Sequence, residues 1–219
     1  MARLVLTAEE RAAVTAAVAA AEAGTDGEIV TVVSERSDAY HDVALHYALV
    51  AMLAVPGAWS LWPTLLAPGN GWGGTRGQEL ALLVVAQAIA FLLVRLALAW
   101  MPLRLMLTPR ATKLRRVRRR AVQYFRLAAE RRTSGREGVL LYLSAEEHIA
   151  EIVADTAVHR AVPAERWGEA MATLVDAVRA GRAGAGVVAA VAAIGTILAE
   201  HFPKNTDDRN ELPDRVIEL

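Results

Sequence analysis

The chain has 219 residues, of which 54% are hydrophobic, and 24 basic residues balance 24 acidic residues. This length allows one domain of ordinary size plus a membrane anchor, and a formal net charge of zero indicates no particular class of partner. The absence of cysteine excludes disulfides, thiolate metal sites and a cysteine nucleophile.

Residues 1–42 predict a helix followed by a buried strand, which together form the first part of a cytoplasmic domain. Thr7 and Glu10 have the spacing of a capping box, in which each side chain binds a free backbone N–H group. Glu28–Ser34 is rich in β-branched residues and almost continuously apolar, as in a strand covered on both faces. The segment lacks the basic start and apolar core of a signal peptide.

Residues 43–107 predict a transmembrane hairpin inserted into this domain. Its two apolar spans, at about 43–66 and 80–103, are long enough to cross the hydrocarbon layer of roughly 30 Å. Pro56 and Pro63 favour a kink or a shortened first helix. Arg95 is the single charge of the second span, and we expect it to pair with Asp42 or to lie against His46 where both spans meet the cytoplasmic side.

The basic residues around the spans predict the orientation of the hairpin. Arg76 is the only basic residue in the connection between the spans, whereas the segment after the second span is strongly basic. By the positive-inside rule, the connection faces outward and both termini are cytoplasmic, which indicates the inner membrane of a bacterium. The interface residues that we predict are Arg95, Arg104, Arg110, Lys113, Arg115, Arg116, Arg118, Arg119 and Arg120.

Residues 108–204 predict the second part of the domain. A basic helix starts at Thr108-Pro109, and Val139–Ser144 and Ile149–Ala154 form a strand hairpin. A helix starts at Pro163, and the apolar segment from about 185 to 201 is short for a third span, so it should pack under the sheet. The remaining residues, 205–219, form an extended polar tail.

Several of these segments resemble the TPM domain family. The matching pieces are Gly27–Val33 (GEIVTVV), Tyr40 before a helix, Gly135–Ser144 (GREGVLLYLS), Ala150–Asp155 (AEIVAD) and His201–Pro203. The resemblance implies a three-layer α/β/α domain, here interrupted by the two-helix transmembrane hairpin. Many relatives carry the domain outside the cytoplasm behind a signal sequence, so the compartment and partners of those relatives transfer poorly.

The resemblance also implies two chemistries, since the family has been linked to acid phosphatase activity and, in some members, to calcium binding. Asp155 and Asp38 follow strands and are the candidate catalytic acids, because open α/β sheets bind ligands at the carboxyl ends of strands. Asp155 and Glu151 are the candidate calcium ligands, although a calcium site needs six or more oxygens and no acidic cluster is visible. Asp155 also suits a plain capping role, and Glu147-His148 is typical of a solvated turn. No nucleophile elbow, phosphate loop, dinucleotide fingerprint or paired-histidine metal motif occurs.

Three functions remain open at this point. The first is a non-catalytic accessory or assembly factor that docks on a membrane protein complex. The second is a phosphatase-like hydrolase, and the third is a domain that binds anionic lipids through the basic helix. Basic residues near Tyr124 and Phe125 also suit nucleic acid, but the exit from the membrane already explains them, so we expect no nucleic-acid partner.

Overall fold

The computed structural model describes residues 6–61, 76–128, 137–204 and 216–218. The helices are α1 (Ala8–Glu22), α2 (His41–Leu61), α3 (Arg76–Ala97), α4 (Met101–Leu107), α5 (Arg110–Ala128), α6 (Thr156–Ala161), α7 (Ala164–Arg179) and α8 (Ala183–His201). The strands are β1 (Glu28–Ser34), β2 (Gly138–Ser144), β3 (Ile149–Ala154) and β4 (Ile217–Glu218). The chain divides into two compact units, one formed by Met1–Asp38 and Ala111–Leu219 and the other by Ala39–Arg110.

The first unit is a mixed α/β unit built on a four-stranded sheet with the order β3-β2-β1-β4. β1 and β2 are parallel and in register from Glu28 beside Gly138 to Ser34 beside Ser144. β2 and β3 are antiparallel, as in a hairpin. The predictions that these three strands share one sheet and that β1 runs parallel to β2 are confirmed.

Both faces of this sheet are covered by helices. On one face, alternate residues of β1 and β2 such as Ile29 and Leu141 pack with side chains of α1, α6, α7 and α8. On the other face, Val30, Leu140 and Tyr142 pack with α5. This two-sided burial explains why the strands are nearly continuous in apolar character rather than alternating.

α8 lies inside the first unit, as its length predicts. Its residues from Ala183 to Leu198 contribute the largest share of the core on the α1 side of the sheet. Gly195 lets α8 approach α1 closely, because a Cβ at this position would lie 2.5 Å from the Cβ of Ala21. The lack of a side chain at Gly195 therefore allows the close contact between α8 and α1.

The N-terminus of α1 is closed by the predicted capping box. The Thr7 hydroxyl accepts a hydrogen bond from the Glu10 N–H at 3.1 Å, and the Glu10 carboxylate accepts one from the Thr7 N–H at 2.8 Å. The sequence also predicts Thr108 as the capping residue at the start of the basic helix, but its hydroxyl instead donates to the Arg104 carbonyl at 2.8 Å, at the C-terminal end of α4.

The last described residues of the predicted extended tail form a short strand. Ile217 and Glu218 form β4, which pairs in parallel with β1 beside Val32 and Val33. The Glu218 carboxylate accepts a hydrogen bond from the Leu6 N–H at 3.2 Å and pairs with Arg11 at 2.7 Å. The rest of the predicted tail, at 205–215, lies outside the described residues.

The second unit consists of α2, α3 and α4. α2 continues through Pro56, and α3 packs along it. α3 ends at Ala97, so the predicted second span is interrupted by a turn before α4, which has Pro102 in its first turn. The connection at 62–75, including the end of the first predicted span, lies outside the described residues.

Three described helices are long and apolar enough to cross a membrane: His41–Leu61, Gly77–Ala97 and Ala183–His201. They differ sharply in burial. The buried share of the apolar stretch is 56% in α8, 17% in α2 and 0% in α3. Length and composition therefore indicate membrane association, and burial separates α8 from the other two.

Candidate functional site

A buried network of polar side chains lies at the carboxyl ends of β1 and β2. The Ser37 hydroxyl donates to the Ser144 hydroxyl at 2.9 Å and is hydrogen bonded to the Tyr142 hydroxyl at 3.1 Å. The Ser144 hydroxyl donates to the Glu147 carboxylate, and the Ser37 N–H donates to the other oxygen of that carboxylate at 2.9 Å. We call Ser37, Tyr142, Ser144 and Glu147 the polar network.

The polar network is enclosed rather than open to a substrate. Ser144 and Tyr142 are fully buried, and Ser37 and Glu147 are each 6% exposed. Burial raises the pKa of Tyr142, although its hydrogen bond with Ser37 opposes the shift. A serine beside a carboxylate resembles an activated nucleophile, but a nucleophile must reach a reacting atom. This network instead fastens the segment after β1 to the turn after β2.

The turn between β2 and β3 was predicted to be solvated, and this is wrong for Glu147. Its carboxylate points inward to the polar network, while His148 is exposed and takes a positive φ of 51°. The backbone adds to this fastening, since the Ala145 N–H donates to the Ser34 carbonyl at 3.0 Å.

The two candidate catalytic acids lie at opposite ends of the sheet along the strand direction. Asp38 follows the carboxyl end of β1 and pairs with Arg116 of α5 at 3.0 Å. Asp155 follows β3, which is antiparallel to β2, so Asp155 lies at the edge where β2 begins. There its carboxylate accepts a hydrogen bond from the Gly138 N–H at 3.2 Å. The structure therefore does not bring Asp38 and Asp155 together.

The two candidate calcium ligands are also held separately. Glu151 lies within β3 opposite Tyr142 and pairs with Arg118 at 3.4 Å. Burial raises the pKa of Glu151, while the Arg118 guanidinium opposes the shift. In the part of the chain that the structure describes, no three histidine, aspartate or glutamate side chains converge as metal ligands would.

The predicted interface residues divide into different roles. Arg104 is 5% exposed and lies inside the second unit, where it donates to the carbonyls of Leu98 at 2.7 Å and Ala39 at 2.6 Å. Arg116 and Arg118 make the ion pairs described above, and Arg120 lies over the Tyr124 ring at 5.6 Å. Arg115 and Arg119 are exposed on α5.

The predicted contact of Arg95 with Asp42 or His46 stays a prediction. Asp42 and His46 are one turn apart on α2, and a His46 ring nitrogen is hydrogen bonded to the Asp42 backbone carbonyl at 2.6 Å. Arg95 lies in the last turn of α3.

A groove of about 490 Å³ runs between β3 and α7. Its apolar lining includes Ile152, Trp167 and Met171, and Asp176 and Arg179 lie at its rim. Among the described strands, β3 pairs on one side only, with β2. The groove therefore combines an apolar wall with the free backbone edge of a strand, which is the arrangement that accepts an extended peptide.

The polar network and the groove were both missed in the sequence. Ser144 is the last residue of β2, Ser37 and Glu147 follow β1 and β2 closely, and the convergence of the three depends on the parallel register of β1 and β2. For the groove, the helical spacing of Trp167 and Met171 did indicate an apolar face on α7. The sequence has no signal for the edge position of β3.

With this geometry established, the chain can be compared with known proteins. Residues 103–197 match the TPM domain. The resemblance is thus confirmed for this part of the chain, which contains α5, the β2–β3 hairpin, α6, α7 and most of α8. No curated protein matches the chain.

A solved structure extends the comparison of fold to the whole chain. The NMR structure of the BA42 protein from the psychrophilic bacterium Bizionia argentinensis is similar, with a TM-score of 0.58 at 18% sequence identity. The similarity covers 100% of this chain and 99% of that chain. The four-stranded mixed sheet with its helices is therefore consistent with a TPM fold.

Proposed function

We propose that this chain is an inner-membrane protein of bacteria that acts as a non-catalytic accessory or assembly factor for a membrane protein complex. Its TPM-like part is a three-layer α/β/α domain on the cytoplasmic side, and α2 and α3 form a transmembrane hairpin inserted into that domain. The observation that carries the proposal is the place of this insertion. The chain leaves the first unit after Asp38 and returns at Ala111, so the hairpin is joined covalently to the domain at both ends.

The exposed surface of α3 supports a membrane location. Five of its large apolar side chains, those of Leu80, Val84, Leu92, Leu93 and Leu96, are between 61% and 73% exposed. Each buried aliphatic side chain of this size contributes about 1.5–3 kcal/mol, so leaving this row in water is unfavourable. A bilayer or a partner helix removes that surface from water.

The arrangement of the carboxylates favours a non-catalytic role. Acids that share a catalytic task must lie within reach of one reacting atom, and Asp38 and Asp155 do not. Asp38 is paired with Arg116, and Asp155 accepts from the Gly138 backbone. Each acid therefore has a local structural task.

The groove along β3 is the surface that we assign to partner docking. Its occupant is an extended segment of the partner complex with apolar side chains at alternate positions. The backbone of such a segment would add to the free edge of β3, and its side chains would contact Trp167 and Met171. Arg179 and Asp176 pair with each other at 3.6 Å, so the rim does not select a charged segment.

Copurification tests this function. The full chain is extracted in mild detergent and captured by an affinity tag, in parallel with Met171→Asp, which places a charge in the groove, and with Ala180→Asp, an exposed control at the C-terminal cap of the same helix. We expect the same membrane complex to copurify with the unchanged chain and the control, and to be lost with Met171→Asp.

A phosphatase assay with and without divalent metal addresses the alternative. Hydrolysis that is lost on Asp155→Asn or Asp38→Asn, with no stable complex recovered, would contradict the accessory role. It would instead favour the phosphatase-like hydrolase.

A further inference from the structure

One face of α5 carries arginines that the first unit does not use for its own structure. The helix has eight basic residues, and the described part of the segment from Leu80 to Ala128 contains no acid. Arg116 and Arg118 pair with Asp38 and Glu151, and Arg120 lies over Tyr124. The structure thus accounts for three of the basic residues by contacts within the domain.

Arg115 and Arg119 lie on the face of α5 that points away from the core. The helix buries Val117, Ala121 and Phe125 against the sheet. At about 100° per residue, Arg115 and Arg119 lie about 200° around the helix from Val117 and Ala121 respectively. Both are exposed. We call Arg115 and Arg119 the outer arginine row.

No acid within the described ranges pairs with Arg115 or Arg119. The Arg115 guanidinium instead donates a long hydrogen bond to the Thr112 hydroxyl at 3.4 Å. Like charges four residues apart on a helix destabilise it by a few tenths of a kcal/mol. A surface that keeps this arrangement is electrostatically complementary to an anionic partner.

The outer face of α5 has no exposed aromatic ring, and this favours lipid phosphates over single-stranded nucleic acid as the partner. Binding of single-stranded nucleic acid uses exposed aromatic rings on which bases stack. Here both aromatic residues of α5 face the sheet: Phe125 is 6% exposed, and Tyr124 stacks on Tyr142 with ring centres 5.8 Å apart. Phosphates that need no stacking partner, such as lipid headgroups, fit a row of arginines better.

We propose that the outer arginine row binds the phosphates of anionic lipids in the bilayer that holds the hairpin. This inference rests on the membrane location in the proposed function. α5 follows α3 in the chain with only the short α4 between them, so the row belongs to the first soluble segment after the second apolar helix. Binding of lipid by this row restrains the α/β domain at the membrane surface.

The absence of cysteine allows a direct test on the full chain. Gln123→Cys places a single thiol on the outer face of α5, where Gln123 is exposed, and an environment-sensitive fluorophore is attached there. The labelled protein is inserted into nanodiscs of neutral phosphatidylcholine or of the same lipid with phosphatidylglycerol. The outer-row variant is Arg115→Gln with Arg119→Gln. The matched control is Arg160→Gln with Arg182→Gln, which removes the same charge from exposed positions elsewhere in the first unit.

We expect the emission to shift to shorter wavelength in the anionic discs only, and the shift to decrease with salt. A basic residue near an anionic surface contributes about 1 kcal/mol, so the outer-row variant should lower the docked-to-undocked ratio roughly 30-fold. The control variant should behave like the unchanged chain.

Three results would overturn the inference: equal emission in neutral and anionic discs, a shift that survives in the outer-row variant, or a response to added RNA in neutral discs without a response to anionic lipid. Insertion into the discs is measured separately by size-exclusion chromatography. A chain that does not insert contradicts the membrane location itself, whereas an inserted chain without the shift contradicts the lipid contact alone.

Discussion

At the residue scale, two buried threonines have opposite hydrogen-bonding states. Thr25 is 1% exposed, and its hydroxyl donates to the Phe202 carbonyl at 2.5 Å and accepts from the Gly27 N–H at 3.0 Å. Thr31 in the middle of β1 is 2% exposed, and its hydroxyl has no partner among the described residues. A buried polar group without a hydrogen bond costs about 1–3 kcal/mol.

Replacing each threonine by valine should therefore shift stability in opposite directions. We expect Thr31→Val to raise the free energy of unfolding by about 1 kcal/mol, and Thr25→Val to lower it by about 1–2 kcal/mol. Urea unfolding of the detergent-solubilised chain, followed by circular dichroism, measures both. Destabilisation by Thr31→Val would mean that this hydroxyl does have a partner, such as a buried water.

The raised pKa of Glu151 predicts a pH dependence of stability. Because burial disfavours its charged form, the folded state holds this proton at a higher pH than the unfolded state does. Stability linked to Glu151 is therefore greatest below the unfolded pKa, near 4.5, and falls as the pH rises through the folded pKa.

The variant Glu151→Gln should flatten this fall. The midpoint of thermal unfolding would be measured from pH 4 to pH 8 for the unchanged chain, for Glu151→Gln and for the exposed control Glu165→Gln. An unchanged slope in Glu151→Gln would show that the Arg118 pair fully offsets the burial of this carboxylate.

At the scale of elements, the packing of α8 depends on glycine where the helix crosses α1. A Cβ at Gly195 would lie 2.5 Å from the Ala21 Cβ and 3.0 Å from its Cα, so the helices must separate to admit it. Gly168 is also a glycine within a helix, α7, but nothing lies within 4 Å of the position that its Cβ would take.

These two glycines give a matched pair of substitutions. Gly195→Ala should lower the free energy of unfolding by about 1–3 kcal/mol through overpacking. Gly168→Ala should raise it by about 0.5–1 kcal/mol, because alanine restricts the unfolded chain and favours the helix. Urea titrations compare the two variants, and equal effects in both would contradict the close approach of α1 and α8.

The strands and most helices were predictable from the sequence because their burial is strong. β1 and β3 have the predicted bounds, β2 begins one residue earlier, and the parallel pairing of β1 and β2 follows from the long connection between them. β4 was missed because a two-residue strand has no periodicity. α6 was missed because its six residues carry only one buried apolar side chain, Val158.

The sites were less predictable than the elements. Asp38 and Asp155 each follow a strand, which is all that the sequence shows. Because β3 is antiparallel to β2, its carboxyl end lies at the opposite end of the sheet from the carboxyl end of β1, which separates Asp155 from Asp38. Glu147 was misread because a charged residue in a short turn is usually exposed, whereas here hydrogen bonds from the Ser37 N–H and the Ser144 hydroxyl offset the cost of its burial.

At the scale of the whole molecule, the proposed topology makes a prediction that uses the cysteine-free background. Single cysteines at Asn70, in the connection between the two spans, and at Arg160, exposed in the first unit, report their sides of the membrane. Asn70 lies outside the described residues. In intact cells, a membrane-impermeant maleimide should label Asn70→Cys, and Arg160→Cys should be labelled only after lysis. The reverse pattern would overturn the cytoplasmic location of the domain.

The adjacent positions of β1 and β2 in the sheet also set an order of events during synthesis. Glu28 pairs with Gly138, and the whole hairpin is made between them. At about 5–20 residues per second, the ribosome needs roughly 5 to 20 seconds to deliver β2 after β1. During that interval β1 is an apolar segment that lacks its partner strand β2, and the apolar helices α2 and α3 are synthesised. In the proposed topology, insertion of the hairpin into the membrane therefore begins before β1 and β2 can pair.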